Sequence, residues 1–404
     1  MSTSLLYHAF GAKSYRYLRT EYSEGDVFFY MEKKERPCCP ECASDDAVYD
    51  GYEAYTLRAL PIGPKRVFLV AYLHVVLCYA CGVRRQEDRE VADPRKTYTR
   101  LFARYAVDLS RVMTLADIAR HLQVGWDLVK EIVRDHLEKR ARKRSWRKVR
   151  RIAIDEIAVR KGHRYMTVVL DLDTGEVLYA SEGKGKEALK TFFQRLRRAG
   201  ARLKAVVMDM SEAYLSAVKE YWPQRVAIVH DHYHIVANMN AVLDDIRRDE
   251  QNRWEGEGKQ LIKGSRYLLL RASENLARLP EKQARLDALL AVNATLHKAY
   301  LLKEDLRLFW KQATKLEAKA FIKTWVAEAM AMGNRRMTKF AKTVASRMGS
   351  ILAWYRYPIT SGPLEGLNNK IKVMKRMAYG YRDMTFFALR ILFIHETKME
   401  LTGA

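Results

Sequence analysis

Apolar and polar positions change period several times along this 404-residue chain, and each change predicts a different element. Residues 1–35 show little beyond a short amphipathic, aromatic-rich segment. The nearly unbroken apolar run from Val67 to Leu77 then reads as a strand. Residues 97–137 turn to helical spacing. Within them Ile118, Leu122, Val124, Val129 and Ile132 bracket the small Ala119, as two helices crossing closely in a helix-turn-helix require. Gln123 stands in the turn where a glycine is usual. From Arg151 the period shortens. Ile152–Val159, Tyr165–Asp171 and Glu176–Ala180 read as three strands, the last two joined by a turn at Asp173-Thr174-Gly175. A helix from Lys186 to Ala199, a buried strand Leu203–Asp209, a helix Glu212–Tyr221 and a strand Val226–Asp231 follow. A three-strand meander, then helix, strand, helix and strand, is the order of an RNase H-like α/β domain.

Residues 240–350 are helical, basic and aromatic, and read as an all-α insertion; the aromatic residues among them, such as Trp254, Trp310 and Trp325, fit a core better than a base-stacking platform. Beyond it, Leu364, Leu367, Ile371 and Met374 recur at helical spacing behind Pro363, which suits a first helical turn. At about 100° per residue, Glu365, Asn369, Lys372 and Arg376 fall on the opposite side. Taken alone, Glu365 is an ordinary first-turn acid, favourable to the helix dipole. Phe386–Ile394 is either a last core helix or the end of the same element.

With the Cys-x-x-Cys pairs Cys39/Cys42 and Cys78/Cys81 near the start of the chain, the expected fold is multidomain: an N-terminal zinc ribbon and a helical helix-turn-helix DNA-binding region, then an α/β RNase H-like catalytic domain interrupted by an all-α insertion. The expected boundaries are 1–95 for the zinc ribbon, 96–138 for the helix-turn-helix and 139–150 for a basic linker. The catalytic domain takes 151–239 and 351–404, around an insertion at 240–350.

Charge sharpens this picture. A formal charge of +24, from 72 basic and 48 acidic residues, points to a polyanionic partner. The helix Trp126–Leu137 is placed to enter a DNA groove, with Trp126 and Lys130 as candidate contacts. The basic run after it, with Arg140, Arg142, Lys143, Arg144, Arg147 and Lys148, is expected to meet phosphates. No apolar run is long enough to span a bilayer, and the first residues lack the apolar core of a secretory signal, so a cytoplasmic protein with no membrane partner is expected.

Four of the five cysteines form two knuckles, Cys39-Pro40-Glu41-Cys42 and Cys78-Tyr79-Ala80-Cys81. Two such pairs can close a tetrahedral Zn2+ site of four thiolates, structural because no coordination position stays open. The expected logic is that of a ribbon whose strands are too short to make a core and are held by the metal. Cys38 is a bystander. Among the acids, Asp155 lies on the first strand of the α/β pattern and Asp209 at the end of the fourth, adjacent at one edge of the expected sheet. With Glu365 they could share two divalent ions, as phosphoryl transfer needs. Asp173 fits a turn and Asp171 an outer strand end.

Ile154-Asp155-Glu156 with Lys161-Gly162-His163-Arg164-Tyr165, Met208-Asp209-Met210-Ser211 with Tyr214, Asp231-His232-Tyr233-His234, and Ser361-Gly362-Pro363-Leu364-Glu365-Gly366-Leu367-Asn368-Asn369 with Arg376, Ala378, Tyr379 and Gly380 together resemble the DDE transposases of bacterial insertion sequences, in the ISL-three group. The likeness runs over nearly the whole chain, and the segment after Gly362-Pro363 is its most specific part. It implies that Asp155, Asp209 and Glu365 are a catalytic triad binding two Mg2+ ions, with Mn2+ able to substitute. It implies water-driven cutting at element ends, followed by attack of the freed 3′-hydroxyl on target DNA. Asp231 and His234 match a D-x-x-H signature, which is either supporting or simply a helix-starting Asp with a packed His. Asn369, Lys372 and Arg376 would hold the phosphates of the transferred strand. The partners implied are double-stranded DNA, as terminal inverted repeats and target, and a homodimer or higher oligomer on it; bound to DNA, the protein would be nucleoid-associated. Two other readings remain open on the residues alone: a non-catalytic zinc-ribbon and helix-turn-helix regulator, and an RNase H-like structure-specific nuclease.

Overall fold

The computed structural model describes residues 5–34, 36–160, 164–222 and 226–395, so Lys161, Gly162 and His163 of the motif segments lie outside them. The chain forms two compact units. One holds residues up to Arg144 with Met374–Arg382 and the stretch from Phe393; the other holds Ser145–Val373 with Asp383–Leu392. Among the described residues no helix is long and apolar enough to cross a membrane.

The first unit starts with helix α1 (Leu5–Phe10) and strands β1 (Tyr15–Ser23), β2 (Asp26–Lys33), β3 (Ala47–Ile62), β4 (Lys65–Cys78) and β5 (Arg84–Gln86). They form one sheet in the order β1-β2-β4-β3, with β5 paired to β4. The β1–β2 hairpin was not legible in residues 1–35. Its turn is Glu24-Gly25, both with positive φ (51° and 87°), the requirement of a two-residue turn that matches strand twist. The expectation that the strands are too short to build a core is also wrong. β3 and β4 run for 16 and 14 residues. Their inward positions, with β2 and α1, bury Leu6, Phe10, Met31, Leu57, Val67, Leu69 and Leu73 in a core of their own. Alternation along a long strand supplies this apolar face without a metal.

Helices α2 (Arg100–Leu109), α3 (Leu115–Leu122) and α4 (Trp126–Arg142) complete the unit. Ile118, Ala119, Leu122, Val129 and Ile132 are buried, as the helix-turn-helix spacing predicted, whereas Val124 in the turn is only half-buried. Gln123 takes the left-handed conformation (φ 51°, ψ 53°) that a glycine would hold more cheaply, and Val124 N–H closes the turn on Ala119 O at 3.0 Å. Arg58, buried on β3, donates to Leu122 O at 2.9 Å and Val67 O at 3.2 Å, so a cation caps the C-terminus of α3 and ties it to the sheet. α4 runs on to Arg142 and carries the first residues of the basic run on a helix.

The second unit has the α/β order read from the pattern: β6 (Arg151–Arg160), β7 (Arg164–Asp171), β8 (Val177–Glu182), α5 (Lys186–Arg198), β9 (Ala205–Met208), α6 (Glu212–Tyr221) and β10 (Ala227–His230). The sheet order is β10-β9-β6-β7-β8, with β9 parallel to β6 and β10, and β7 antiparallel to both β6 and β8. This is the RNase H-like arrangement. Ile152, Ile154, Val169 and Leu178 on one face pack with Leu189, Phe192, Phe193 and Leu196 of α5 and with Tyr214, Ala217 and Val218 of α6.

The helical insertion follows β10 without a break. α7 (His232–Arg253) leads into α8 (Gly256–Ile262), α9 (Arg266–Leu270), α10 (Ser273–Leu276), α11 (Pro280–Val292), α12 (Ala294–Leu308), α13 (Lys315–Ala331), α14 (Arg335–Ser346) and α15 (Met348–Leu352). Trp325 lies in the insertion's own core and Trp254 and Trp310 pack against it, as expected of structural aromatics. The chain returns through α16 (Gly362–Met377) and α17 (Met384–Leu392), a separate helix that packs on β8.

Candidate active site and metal centre

The register of the α/β sheet does more than place the acids on one edge. Arg151, Ile152 and Ala153 of β6 pair with Ala205, Val206 and Val207 of β9. Continued for two residues, that register sets Asp209 level with Asp155, about one strand spacing (~4.8 Å) away. β10 continues the row, because His230 pairs with Met208 and Asp231 N–H donates to Met208 O at 3.1 Å. Asp155, two residues past the last β6–β9 pair, and Asp209 and Asp231, each just past the end of its strand, thus fall in one row across three neighbouring parallel strands.

Each acid is held differently. Asp155 Oδ1 accepts the Glu156 N–H at 2.8 Å, and its Oδ2 accepts the Asn368 side-chain amide at 2.8 Å. Burial pushes the Asp155 carboxyl above its ordinary range; the Glu156 N–H, the Asn368 amide and His234 pull it back, and the charge of Asp209 pushes it further up. Asp209 Oδ1 accepts the Ser211 N–H at 2.9 Å, and its carbonyl faces His230 Nδ1 at 3.1 Å. Asp231 is buried, caps α7 through the Tyr233 N–H at 3.5 Å and accepts a hydrogen bond from the Ser361 hydroxyl. It is the helix-starting Asp, and also the anchor for the segment that opens α16.

α16 keeps the predicted faces. Leu364, Leu367 and Ile371 are buried, Met374 is half-buried, and Glu365, Asn369, Lys372 and Arg376 are exposed. Glu365 sits one turn before Asn368, so the amide that bonds Asp155 and the Glu365 carboxylate share a side of the helix. Among the described residues the Glu365 side chain is in no hydrogen bond or ion pair. Asn368 escaped the residue-by-residue reading, which placed its neighbour Asn369 on the polar face and quoted Asn368 only within the motif. Glu156 and Tyr214 were quoted only as motif neighbours. Tyr214 OH lies 3.5 Å from Glu156 Oε2 and 3.1 Å from Thr167 Oγ1, on the opposite sheet face from Asp155. Burial, opposed by Lys184 and reinforced by Asp209 and Asp155, raises the Glu156 carboxyl.

In the other unit, the sulfurs of Cys39, Cys42, Cys78 and Cys81 all lie within 4.8 Å of one another. The Cys39–Cys81 and Cys42–Cys78 separations are both 3.6 Å. A Zn–S bond of about 2.3 Å implies tetrahedral S–S edges of about 3.8 Å, so the four thiols fit zinc. The knuckles repeat one backbone pattern: Cys39 N–H donates to Ser44 O and Ala43 N–H to Cys39 O, as Cys78 N–H donates to Val83 O and Gly82 N–H to Cys78 O. Backbone N–H groups of Cys42 and Glu41 lower the Cys39 thiol to about 6, so it is the readiest thiolate, while crowding by the other sulfurs holds Cys42 and Cys81 above their ordinary value. Cys38 is exposed and outside the cluster.

A transposase family model matches residues 152–391, a model for the helix-turn-helix domain of transposase family ISL3 matches 88–137, and one for the zinc-finger of the IS204/IS1001/IS1096/IS1165 transposases matches 35–81. The chain belongs to the ISL3 family of transposases. It is 34% identical over 357 residues to the transposase for insertion sequence element IS1001 of Bordetella parapertussis, covering 87% of both chains. It is 27% identical over 396 residues to the transposase for IS1557 of Mycobacterium tuberculosis, covering 90% of this chain and 87% of that one. A solved Drosophila P element transposase strand transfer complex matches 74% of this chain and 92% of its own at 10% identity and a TM-score of 0.41.

In this transposase the candidate DNA contacts are unequally free. Trp126 is exposed at the start of α4, with the Lys130 ammonium 5.2 Å from its ring centre. The Arg140 and Arg144 guanidiniums stack on Phe393 at 5.3 and 4.6 Å, and Arg142 pairs with Glu138 at 3.5 Å. Lys143, Arg147 and Lys148 are exposed.

Proposed function

We propose that this DNA transposase cuts at the ends of its insertion sequence and joins them to target DNA by a two-metal reaction at Asp155, Asp209 and Glu365. The observation that carries the reading is the level row of Asp155 and Asp209, with the helix bearing Glu365 tied to Asp155 through Asn368. The donor set fits Mg2+, with Mn2+ as a substitute: carboxylate oxygens from two neighbouring strands, and a third, unengaged carboxylate one helical turn from a bonded amide. When bound, two such ions lower the pKa of an attacking water and stabilise the leaving oxygen of an in-line displacement.

The chain's own groups do the rest. The Asn368 amide and the Glu156 N–H fix both oxygens of Asp155, and the Ser211 N–H orients Asp209. In the first step a water oxygen bonds to phosphorus as the bond to the 3′-oxygen breaks; the water gives up its protons to a carboxylate or solvent, and the 3′-oxygen takes one up to leave as a hydroxyl. In the second that 3′-hydroxyl, losing its proton in the same way, attacks a target phosphodiester and expels its 3′-oxygen, which is protonated from solvent, so one ester replaces another with no covalent protein intermediate. Asn369, Lys372 and Arg376, exposed on the Glu365 face, are the side chains offered to the transferred strand. α4, with Trp126 and Lys130 at its start, reads the terminal inverted repeats alongside the zinc-bearing sheet. Two ends must meet for strand transfer, so a homodimer or higher oligomer forms on DNA, in the cytoplasm at the nucleoid. The proposed limits of these parts are those expected from the sequence, 1–95, 96–138, 139–150, 151–239, 240–350 and 351–404, with α4 carrying the helix-turn-helix part on to Arg142 and α7 opening the insertion at His232.

Glu365→Gln is the direct test, assayed with magnesium on duplexes carrying the element ends. End binding should persist while cleavage falls by about a thousandfold or more, the loss expected when an interaction special to the transition state disappears. Unaltered cleavage would remove Glu365 from the site.

A further inference from the structure

The α/β unit carries a second concentration of charge, away from the acids. Where β6 and β9 begin, the segment before β6, the end of α5 and the segment before β9 enclose a cavity of about 460 Å³ lined by Arg147, Arg150, Arg198, Ala199, Gly200 and Arg202. Among the described residues no carboxylate lines it. Arg150 is half-buried and held in place, its Nη1 donating to the carbonyls of Arg147 and Val149, each at 3.0 Å. Arg147, Arg198 and Arg202 are exposed around it and make no ion pair among the described residues. Their neighbour Arg151 differs, since it is neutralised by Asp173 at 2.6 Å.

Four guanidiniums around one cavity repel one another, by roughly 0.5 kcal/mol per pair at ~8 Å even in water, unless an anion lies between them. The planar fork of each matches two phosphate oxygens at once. The cavity is too polar for an apolar ligand and too open to enclose one. Position favours a polymer over a small anion. Five residues of extended chain separate Arg150 from Asp155, about 17 Å along β6 and so roughly five base pairs of duplex.

We propose that the Arg147, Arg150, Arg198 and Arg202 pocket is a second phosphate-binding site, which grips the backbone of duplex DNA several base pairs from the reacting phosphate. The proposal rests on the transposase function but not on the assignment of the three acids. Its contacts are sequence-independent, so they add affinity and fix the duplex's path without reading bases.

The test uses the full-length, zinc-loaded chain and a labelled duplex without magnesium, with affinity followed against salt. Arg198→Ala/Arg202→Ala should lower the slope of log affinity against log salt by about 1–2, the counterions released by one or two phosphates, and weaken binding severalfold. Arg198→Lys/Arg202→Lys should restore most of the slope, which excludes misfolding as the cause. Arg197→Ala, on α5 but outside the pocket, should leave it unchanged. An unaltered slope in the double alanine variant, or an equal loss from Arg197→Ala, would overturn the proposal. Pyrophosphate binding that depends on Arg198 and Arg202, with the duplex slope intact, would also overturn it in favour of a small-anion site. A wild-type chain with no affinity for duplex would sink both this proposal and the functional reading, whereas a chain that binds normally but fails the Glu365→Gln test would leave this one standing.

Discussion

In the N-terminal sheet, the four metal-binding sulfurs come from two turns that copy each other's backbone hydrogen bonds, at the ends of strands long enough to own a core. In the α/β sheet, the acids come from two parallel strands and a helix. The bond that brings the helix in, Asn368 to Asp155, spans 213 residues, and the bond that anchors its start, Ser361 to Asp231, spans 130. The first site is made by local geometry. The second is made by register and by two hydrogen bonds across the domain, with a whole helical insertion in between. A locally made site should fail by losing its metal while the sheet survives. A site assembled over distance should fail when a bridging bond is cut, even though every acid remains.

The largest effect should come from the zinc site. Cys39→Ser, or a chelator, removes a metal whose binding is worth about 10 kcal/mol or more in small zinc domains, and end binding should weaken with it. The sheet core should persist. Hydrogen exchange should stay slow at Leu57 and Leu69 while the turns at Cys39 and Cys78 exchange quickly. Global unfolding of β1–β4 on chelation would contradict a core independent of the metal.

Asn368→Ala tests the other side. Partners of metal-binding carboxylates typically matter by about 10–100-fold, so cleavage at sub-saturating magnesium should fall by that factor. Excess magnesium should recover part of it, and duplex affinity should hold. A cleavage rate unaffected at every magnesium concentration would mean that α16 is positioned by something else.

A smaller, pH-dependent effect belongs to the helix-turn-helix. His136 on α4 is half-buried, and burial together with Arg140 and Arg111 holds its imidazole below its ordinary value of 6.5. The unfolded chain therefore takes the proton first. The contribution is intact above pH 6.5 and is lost as pH falls from there towards the folded value, by at most about 1.4 kcal/mol per pH unit. Thermal denaturation between pH 7 and pH 5 should show this slope, and His136→Leu should flatten it. No change in slope would exclude His136 as the sensor.

The smallest effects lie in two turns. Gln123 and Ala43 have φ of 51° and 56°, and Gly82 holds at 70° the place in the second knuckle that Ala43 holds in the first. Gln123→Gly and Ala43→Gly should each stabilise by about 0.5–1 kcal/mol, the strain relieved less the extra entropy of a freer unfolded chain. Denaturant midpoints are the measurement, and a drop in either would show that the replaced side chain contributes more than its strain costs.

These contrasts explain which features were legible in the residues alone. Cysteine spacing is local, so the metal site could be read from two tetrapeptides. Apolar spacing over one or two turns revealed the helix-turn-helix even with Gln123 in the place of glycine, because the crossing depends on Ile118, Ala119 and Leu122. The β1–β2 hairpin went unseen because Glu24-Gly25 is a weak turn signal and its strands mix aromatic with charged residues on the outer face. The basic run looked uniform, yet Arg140 and Arg144 are taken up by Phe393, far along the chain.

By itself, the amino-acid sequence determined the strand and helix order of the α/β domain, the four thiols, and the polar face of the helix bearing Glu365. Those follow from periodicity and short-range spacing, which a linear chain carries directly. Only the tertiary structure decided that Asp155, Asp209 and Asp231 stand level, that Asn368 rather than a charged neighbour meets Asp155, and that four arginines from three segments face one cavity. Register and convergence depend on which distant backbones pair, and no local pattern records that.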